Sequence, residues 1–240
     1  ASLETLKGIK AGALFFSPDP TEPTASLGGM ASCNACGARS FLYGCTRAHI
    51  NALRVVLADG RVASLMRGRD KADGRHVRFA CEDGTIFECE LPDFDTPPIK
   101  DAGFFIRENM DIVDLFMGSQ GTLGVIAELE ILLMNAPRHL WGLTAFFPDD
   151  ENALAYVRAM KGHSDAGVPD FAYKPASIEF FNKNALDMVV RQKAVTPAFH
   201  QLQELPENYS CAVYVEFNDD DPGEMIPVLR ALAAVIQAVG

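Results

Sequence analysis

Ala25-Ser-Leu-Gly-Gly-Met-Ala-Ser-Cys-Asn-Ala-Cys-Gly37 is a stretch in which only Leu27 and Met30 carry enough side chain to help fill a core. Residues this small let backbone approach closely to something else. The stretch therefore reads as a Gly28-Gly29 loop that brings main chain close to a neighbour, with an ordinary turn as the alternative.

The flanking sequence supplies a frame for that loop. Leu3 to Lys10 reads as a short helix and Ala13 to Phe16 as a buried strand, which the Pro-rich run from Ser17 to Pro23 stops and continues as an extended loop. Leu53 to Ala58 and Arg61 to Met66 flank Asp59-Gly60, the signal for a two-residue hairpin. A second hairpin is expected from His76 to Cys81 and Thr85 to Leu91 around Glu82-Asp83-Gly84. Met110 to Met117 has helical spacing with Gly118 placed to end it, and Gly124 to Leu133 reads as a strand.

From Arg138 the texture changes to a repeated strand, acidic helix start and amphipathic helix. One copy runs from Leu140 to about Lys161 and the other from Cys211 to about Val239, with strand Ser177 to Phe181 and helix Asn184 to Arg191 between them. In the second copy Asp221 is the expected N-cap and Pro222 the first helical residue. The order is that of a split βαβ sheet of the ferredoxin-like kind lacking its final strand. Two domains follow, 1–136 and 137–240, in an α+β fold.

A net charge of −11 repels polyphosphate, so nucleic acid is not an expected partner. The apolar stretch Val228 to Val239 is too short for a transmembrane segment. Six cysteines in a chain with no secretory leader predict reduced thiols, no disulfide framework and a cytoplasmic setting. The chain starts without Met and stops directly after an apolar helix, so both ends read as cuts within a longer protein.

Three segments, in order, carry a resemblance. They are Leu14-Phe-Phe-Ser-Pro-Asp-Pro-Thr21, Ala25 to Gly44 running into Val55-Val-Leu-Ala-Asp-Gly60, and Leu115-Phe-Met-Gly-Ser-Gln-Gly-Thr-Leu-Gly-Val-Ile-Ala-Glu128. Together they resemble the FAD-binding domain shared by vanillyl-alcohol oxidase, glycolate oxidase, D-lactate dehydrogenase and D-2-hydroxyglutarate dehydrogenase. The resemblance implies the second part of a PCMH-type FAD-binding domain followed by an incomplete ferredoxin-like substrate cap. It also implies oxidation of a 2-hydroxyacid by hydride transfer to flavin, with an electron acceptor the sequence leaves unnamed. The alternative is a fragment that binds cofactor or serves structure without turnover.

The cofactor roles carry over to Pro18, Asp19, Gly28, Gly29, Ser32, Asn34, Gly37, Gly121, Gly124 and Ile126, acting largely through main chain and short polar groups. Arg39 and Tyr43 are candidates for orienting the substrate carboxylate, with ordinary structural use as the alternative. Departures from the family are Gln120 for Glu, Ala127 for Thr and Phe104 for Tyr. The family's glycine-rich pyrophosphate loop and its cap histidines lie outside this sequence, so no catalytic base is assigned. FAD binding by this chain alone is expected to be weak or absent, and bare apolar faces are expected to promote self-association.

Cys33, Cys36 and Cys45 are read as small residues of the FAD loop, with a metal site completed by His49 or a redox pair as alternatives. The five histidines show no ligand spacing and the acidic run Asp219 to Asp221 is explained by helix capping, so no metal is expected.

Overall fold

A computed structural model describes residues 2, 14–18, 22, 24–93, 103–197, 200, 204 and 208–240. The expected helix from Leu3 to Lys10 lies outside the described residues. The chain separates into two compact units, Ala1–Ala136 and Pro137–Gly240.

In the first unit, β2 (Ile50–Val56) is the centre of a three-stranded antiparallel sheet between β3 (Val62–Met66) and β6 (Val125–Ile131). Alternation along β2 buries Leu53 and Val55, while Arg54 points outward to the carboxylates of Glu82 and Glu128. β4 (His76–Ala80) and β5 (Ile86–Glu90) form a separate hairpin whose Val77 and Phe79 join the same core.

Both hairpin loops have three residues, which corrects the two-residue reading at Asp59-Gly60. The Gly60 amide donates to the Leu57 carbonyl and the Leu57 amide to the Arg61 carbonyl. Gly84, Cys81 and Thr85 repeat the arrangement. Gly60 at φ 87° and Gly84 at φ 83° take the left-handed position such loops require.

The expected Gly28-Gly29 loop is a helix, α1 (Leu27–Cys33). Two central glycines disfavour helix by about 1 kcal/mol each, and the ends of the segment offset this. The Ser26 side chain accepts the Gly29 amide at the N-terminus, and Asn34 turns the chain out at φ 47°. Met30 is buried against Phe16, Leu27 and Leu133. Short helix α2 (Ser40–Tyr43) follows, and the strand expected from Ala13 to Phe16 is β1 (Leu14–Phe15), paired with β7 (Met134–Asn135). The helix expected from Met110 to Met117 shortens to α3 (Val113–Phe116).

Cys36 and Cys45 are joined in a disulfide, with Cys33, Cys81, Cys89 and Cys211 free. This corrects the expectation that every thiol is reduced. The left-handed turn at Asn34 and the bond from the Thr46 amide to the Ala35 carbonyl bring the two sulfurs together.

In the second unit, β10 (Cys211–Asp219) is central and antiparallel to both β8 (His139–Phe147) and β9 (Ser177–Asn182). Its Val213, Val215 and Phe217 pack with Tyr156 and Met160 of α4 (Asp150–Met160) and with Val228, Leu232 and Val235 of α6 (Met225–Val239). α5 (Lys183–Val195) follows β9 and is capped by Asn182. The Asp221 carboxylate accepts the Gly223 amide as expected of a cap, but it heads a 3-10 turn over Pro222–Glu224, and the α-helix begins three residues later than Pro222. Among the described residues no helix is long and apolar enough to cross a membrane.

Candidate functional site

The structure brings together parts of the sequence that lie about ninety residues apart. Gly118 and Gln120 donate their amides to the carbonyls of Ala31 and Ser32, so the segment before β6 lies along the end of α1. A Cβ at Gly28 would stand 3.8 Å from the Ile126 carbonyl, which places Gly28 beside the start of β6. Gly28, Ser32, Asn34, Gly121 and Ile126 thus belong to one region of the first unit.

The candidate residues differ in what already occupies them. A Cβ at Gly29 would meet Ser26 Oγ at 2.8 Å, so this glycine is needed by the helix cap itself. A Cβ at Gly124 would come within 2.7 Å of Val55 and of the Val56 carbonyl, so close packing on β2 requires it. Asn34 is buried, and its Oδ1 accepts the Arg47 amide at 2.8 Å. The Gly37 amide donates to Ser40 Oγ at 2.9 Å. Gly121, at φ 78°, has open space where a side chain would be, and Gly28 has ordinary clearance. Pro18 is buried in the turn that follows β1, and Asp19 lies outside the described residues.

FAD needs a flat open wall and amides for its pyrophosphate. Gly121 has open space where a side chain would stand and Gly28 has one neighbour at ordinary contact distance, and the Ser119 hydroxyl two residues before Gly121 is buried without a partner among the described residues. Amides are scarcer. Those of Gly29, Gly118, Ser119, Gln120 and Thr122 all donate to protein oxygens already. The described residues therefore fit one wall of a flavin site better than they fit a pyrophosphate cradle.

Tyr43 and the segment before Pro18 are joined by a residue that the sequence offered only as a surface, packing or metal-site candidate. His49 is buried; its Nε2 lies 2.9 Å from the Tyr43 carbonyl, and Ser17 Oγ lies 3.1 Å from Nε2 and 3.3 Å from Nδ1. A carbonyl only accepts, so Nε2 carries a proton, and the Ser17 hydroxyl stands at the ring edge within reach of both nitrogens. Phe15 meets the Tyr43 ring edge-on and Phe16 meets His49 in the same way. Replacing His49 by Leu is expected to destabilise the first unit by about 2 kcal/mol, because the buried Ser17 hydroxyl and the part-buried Tyr43 carbonyl lose their partner. His49→Gln, which keeps a donor, recovers part of this in urea denaturation. A loss below about 0.5 kcal/mol for His49→Leu would make the contacts incidental.

The metal alternative for Cys33, Cys36, Cys45 and His49 is not formed. Two of the sulfurs are bonded to each other, and among the described residues no group of three or more His, Cys, Asp or Glu is arranged to hold a metal ion.

Residues 6–65 match the family described as FAD binding domain. The chain is 27% identical over 173 residues to a D-lactate dehydrogenase from Anaerostipes hadrus, covering 72% of this chain and 28% of the relative. It is 26% identical over 186 residues to the glycolate oxidase protein GlcD of Bacillus subtilis, covering 77% of this chain and 31% of that protein. A D-2-hydroxyglutarate dehydrogenase from Pseudomonas putida is 24% identical over 96% of this chain and 24% of its own length. The chain thus spans about three-tenths or less of these relatives. In fold it is similar to a solved alkyldihydroxyacetonephosphate synthase, with a TM-score of 0.58 at 14% identity, covering 98% of this chain and 36% of that one. The three motif segments, the matched domain and relatives of one kind agree, and this chain is similar to the FAD-linked oxidases and dehydrogenases of the vanillyl-alcohol oxidase superfamily.

Proposed function

We propose that this chain forms part of a flavoenzyme that oxidises a 2-hydroxyacid of the D-lactate, glycolate or D-2-hydroxyglutarate kind. In this reading residues 1–136 are the second part of a PCMH-type FAD-binding domain, and residues 137–240 are the N-terminal part of the substrate cap. The observation that supports it is the convergence of Gly28, Gly121 and Ile126 in one region of the first unit. The strand order β8-β10-β9, antiparallel throughout, supports an incomplete ferredoxin-like cap, since a fourth strand beside β8 completes that arrangement.

Bound FAD supplies the hydride acceptor. The chain's part is to orient and to enclose. Gly28 and Gly121 leave room for the cofactor, Ile126 meets it through main chain, and Arg39 and Tyr43 present a fixed cation and a hydroxyl to the substrate carboxylate. No residue of this chain is assigned as the base. The isolated chain is proposed to lack turnover and to self-associate, which the exposure of Val125, Leu140 and Phe180 supports.

Gly28→Ala tests the site. The new methyl group fits the fold, because its neighbour stands at ordinary contact distance, and alanine favours helix by about 1 kcal/mol. Thermal stability of the apoprotein is expected to hold or rise. The FAD dissociation constant of the complete enzyme should rise about tenfold or more. Unchanged FAD affinity would remove Gly28 from the cofactor wall.

A further inference from the structure

We propose that Cys36–Cys45 is a reversible thiol–disulfide site, opened by a dithiol reductant, that latches the segment Gly37–Gly44 carrying Arg39 and Tyr43. The bond joins residues nine apart in sequence. On the protein side of the sulfurs, the Thr46 amide and hydroxyl both donate to the Ala35 carbonyl, at 3.1 and 2.7 Å, and Asn34 Oδ1 accepts the Arg47 amide. These bonds hold the base of the loop whether or not the sulfurs are joined. Beyond the sulfurs the tip is folded on itself. The Ser40, Tyr43 and Gly44 amides donate to the carbonyls of Gly37, Arg39 and Ser40. Phe41 and Leu42 are 48% and 37% exposed, so apolar burial at these two residues holds the tip little, and Tyr43, through the Phe15 ring and His49, ties it to the rest of the unit at one end.

Cys36 is exposed and Cys45 half-buried, so a thiolate reaches the Cys36 sulfur. Its attack forms a mixed disulfide with Cys36 and expels Cys45 as a thiolate, which takes up a proton. The second thiol of the dithiol then closes its own disulfide and releases Cys36 as a thiol. Two electrons pass from dithiol to cystine, and the reductant leaves as a cyclic disulfide; the reverse exchange restores the latch. The consequence for a bound carboxylate rests on the substrate role proposed above for Arg39 and Tyr43, whereas the latch does not depend on that role.

Closing a loop of this length restricts its open states by roughly 100-fold. In the 240-residue chain, alkylation with iodoacetamide in denaturant should label four cysteines before dithiothreitol and six after it, read by mass. Native hydrogen exchange at the Ser40, Tyr43 and Gly44 amides should accelerate by up to roughly 100-fold on reduction, with the Thr46 amide unchanged. The double variant Cys36→Ser/Cys45→Ser should behave as the reduced chain does, and Cys33→Ser as the oxidised one. Should the double variant fail to fold, the reduced wild-type chain alone decides. Six labelled cysteines before reduction would overturn the proposal. So would tip exchange indifferent to dithiothreitol, or exchange that rises equally at Thr46.

Discussion

Replacing Asp114 by Ala is expected to destabilise the first unit by about 3 kcal/mol or more. Arg67 grips this carboxylate with both arms, Nη1 to Oδ2 at 2.9 Å and Nη2 to Oδ1 at 2.6 Å, and also donates to the carbonyls of Ile50 and Arg47. The side chains are only 26% and 10% exposed, and the hydrogen bonds that Arg67 donates to Asp114 raise the pKa of its guanidinium. Removing the acid leaves that cation half-buried, with Asp111 at 3.6 Å as its remaining acidic partner among the described residues. That residual partner is why the lower end of the usual range applies.

Arg54 provides the contrast. Its partners Glu82 and Glu128 are 41% and 67% exposed, so Glu82→Ala should cost far less than Asp114→Ala despite equally short distances. Guanidinium denaturation of the two variants side by side is the check. Equal losses would mean that burial does not set the strength of these pairs.

The second large effect concerns cofactor. The isolated chain, mixed with FAD and passed through gel filtration, is expected to emerge with far less than one flavin per chain. The amides of Gly29, Gly118, Ser119, Gln120 and Thr122 already donate to protein oxygens, so they have nothing to offer a pyrophosphate. Each charge-assisted bond not made forfeits about 1.5 to 3 kcal/mol, and several together lower affinity by orders of magnitude. A stoichiometric flavin spectrum in the eluted chain would show that this wall suffices.

What the sequence made legible follows the strength of its local signals. Asp59-Gly60 and Asp83-Gly84 each set a left-handed glycine between alternating strands, and both hairpins are present. Only the loop length differed, because the glycine sits at the third loop position, where it forms a bulge. In the second unit the acidic helix starts and long apolar strands were read to within a few residues.

Ala25 to Gly37 is where reading failed, for a physical reason. Its glycines argue against helix, and the opposing signals are the Ser26 cap and Asn34 turning out at its end, which act only at the termini. The Cys36–Cys45 bond was equally hidden, since spacing alone does not show which sulfurs the turn at Asn34 brings together. His49 looked like any lone histidine, and its role depends on Ser17, thirty-two residues away.

The central claim is that this chain belongs to an enzyme in which flavin is reduced by a 2-hydroxyacid, and anaerobic absorbance of the complete, FAD-loaded protein tests it most directly. Adding D-lactate, glycolate or D-2-hydroxyglutarate should bleach the oxidised flavin band near 450 nm (about the usual position for flavins) with at least one of the three. A fully loaded flavin that stays oxidised with all three and with a wider panel of 2-hydroxyacids, yet is reduced by dithionite, would contradict the account.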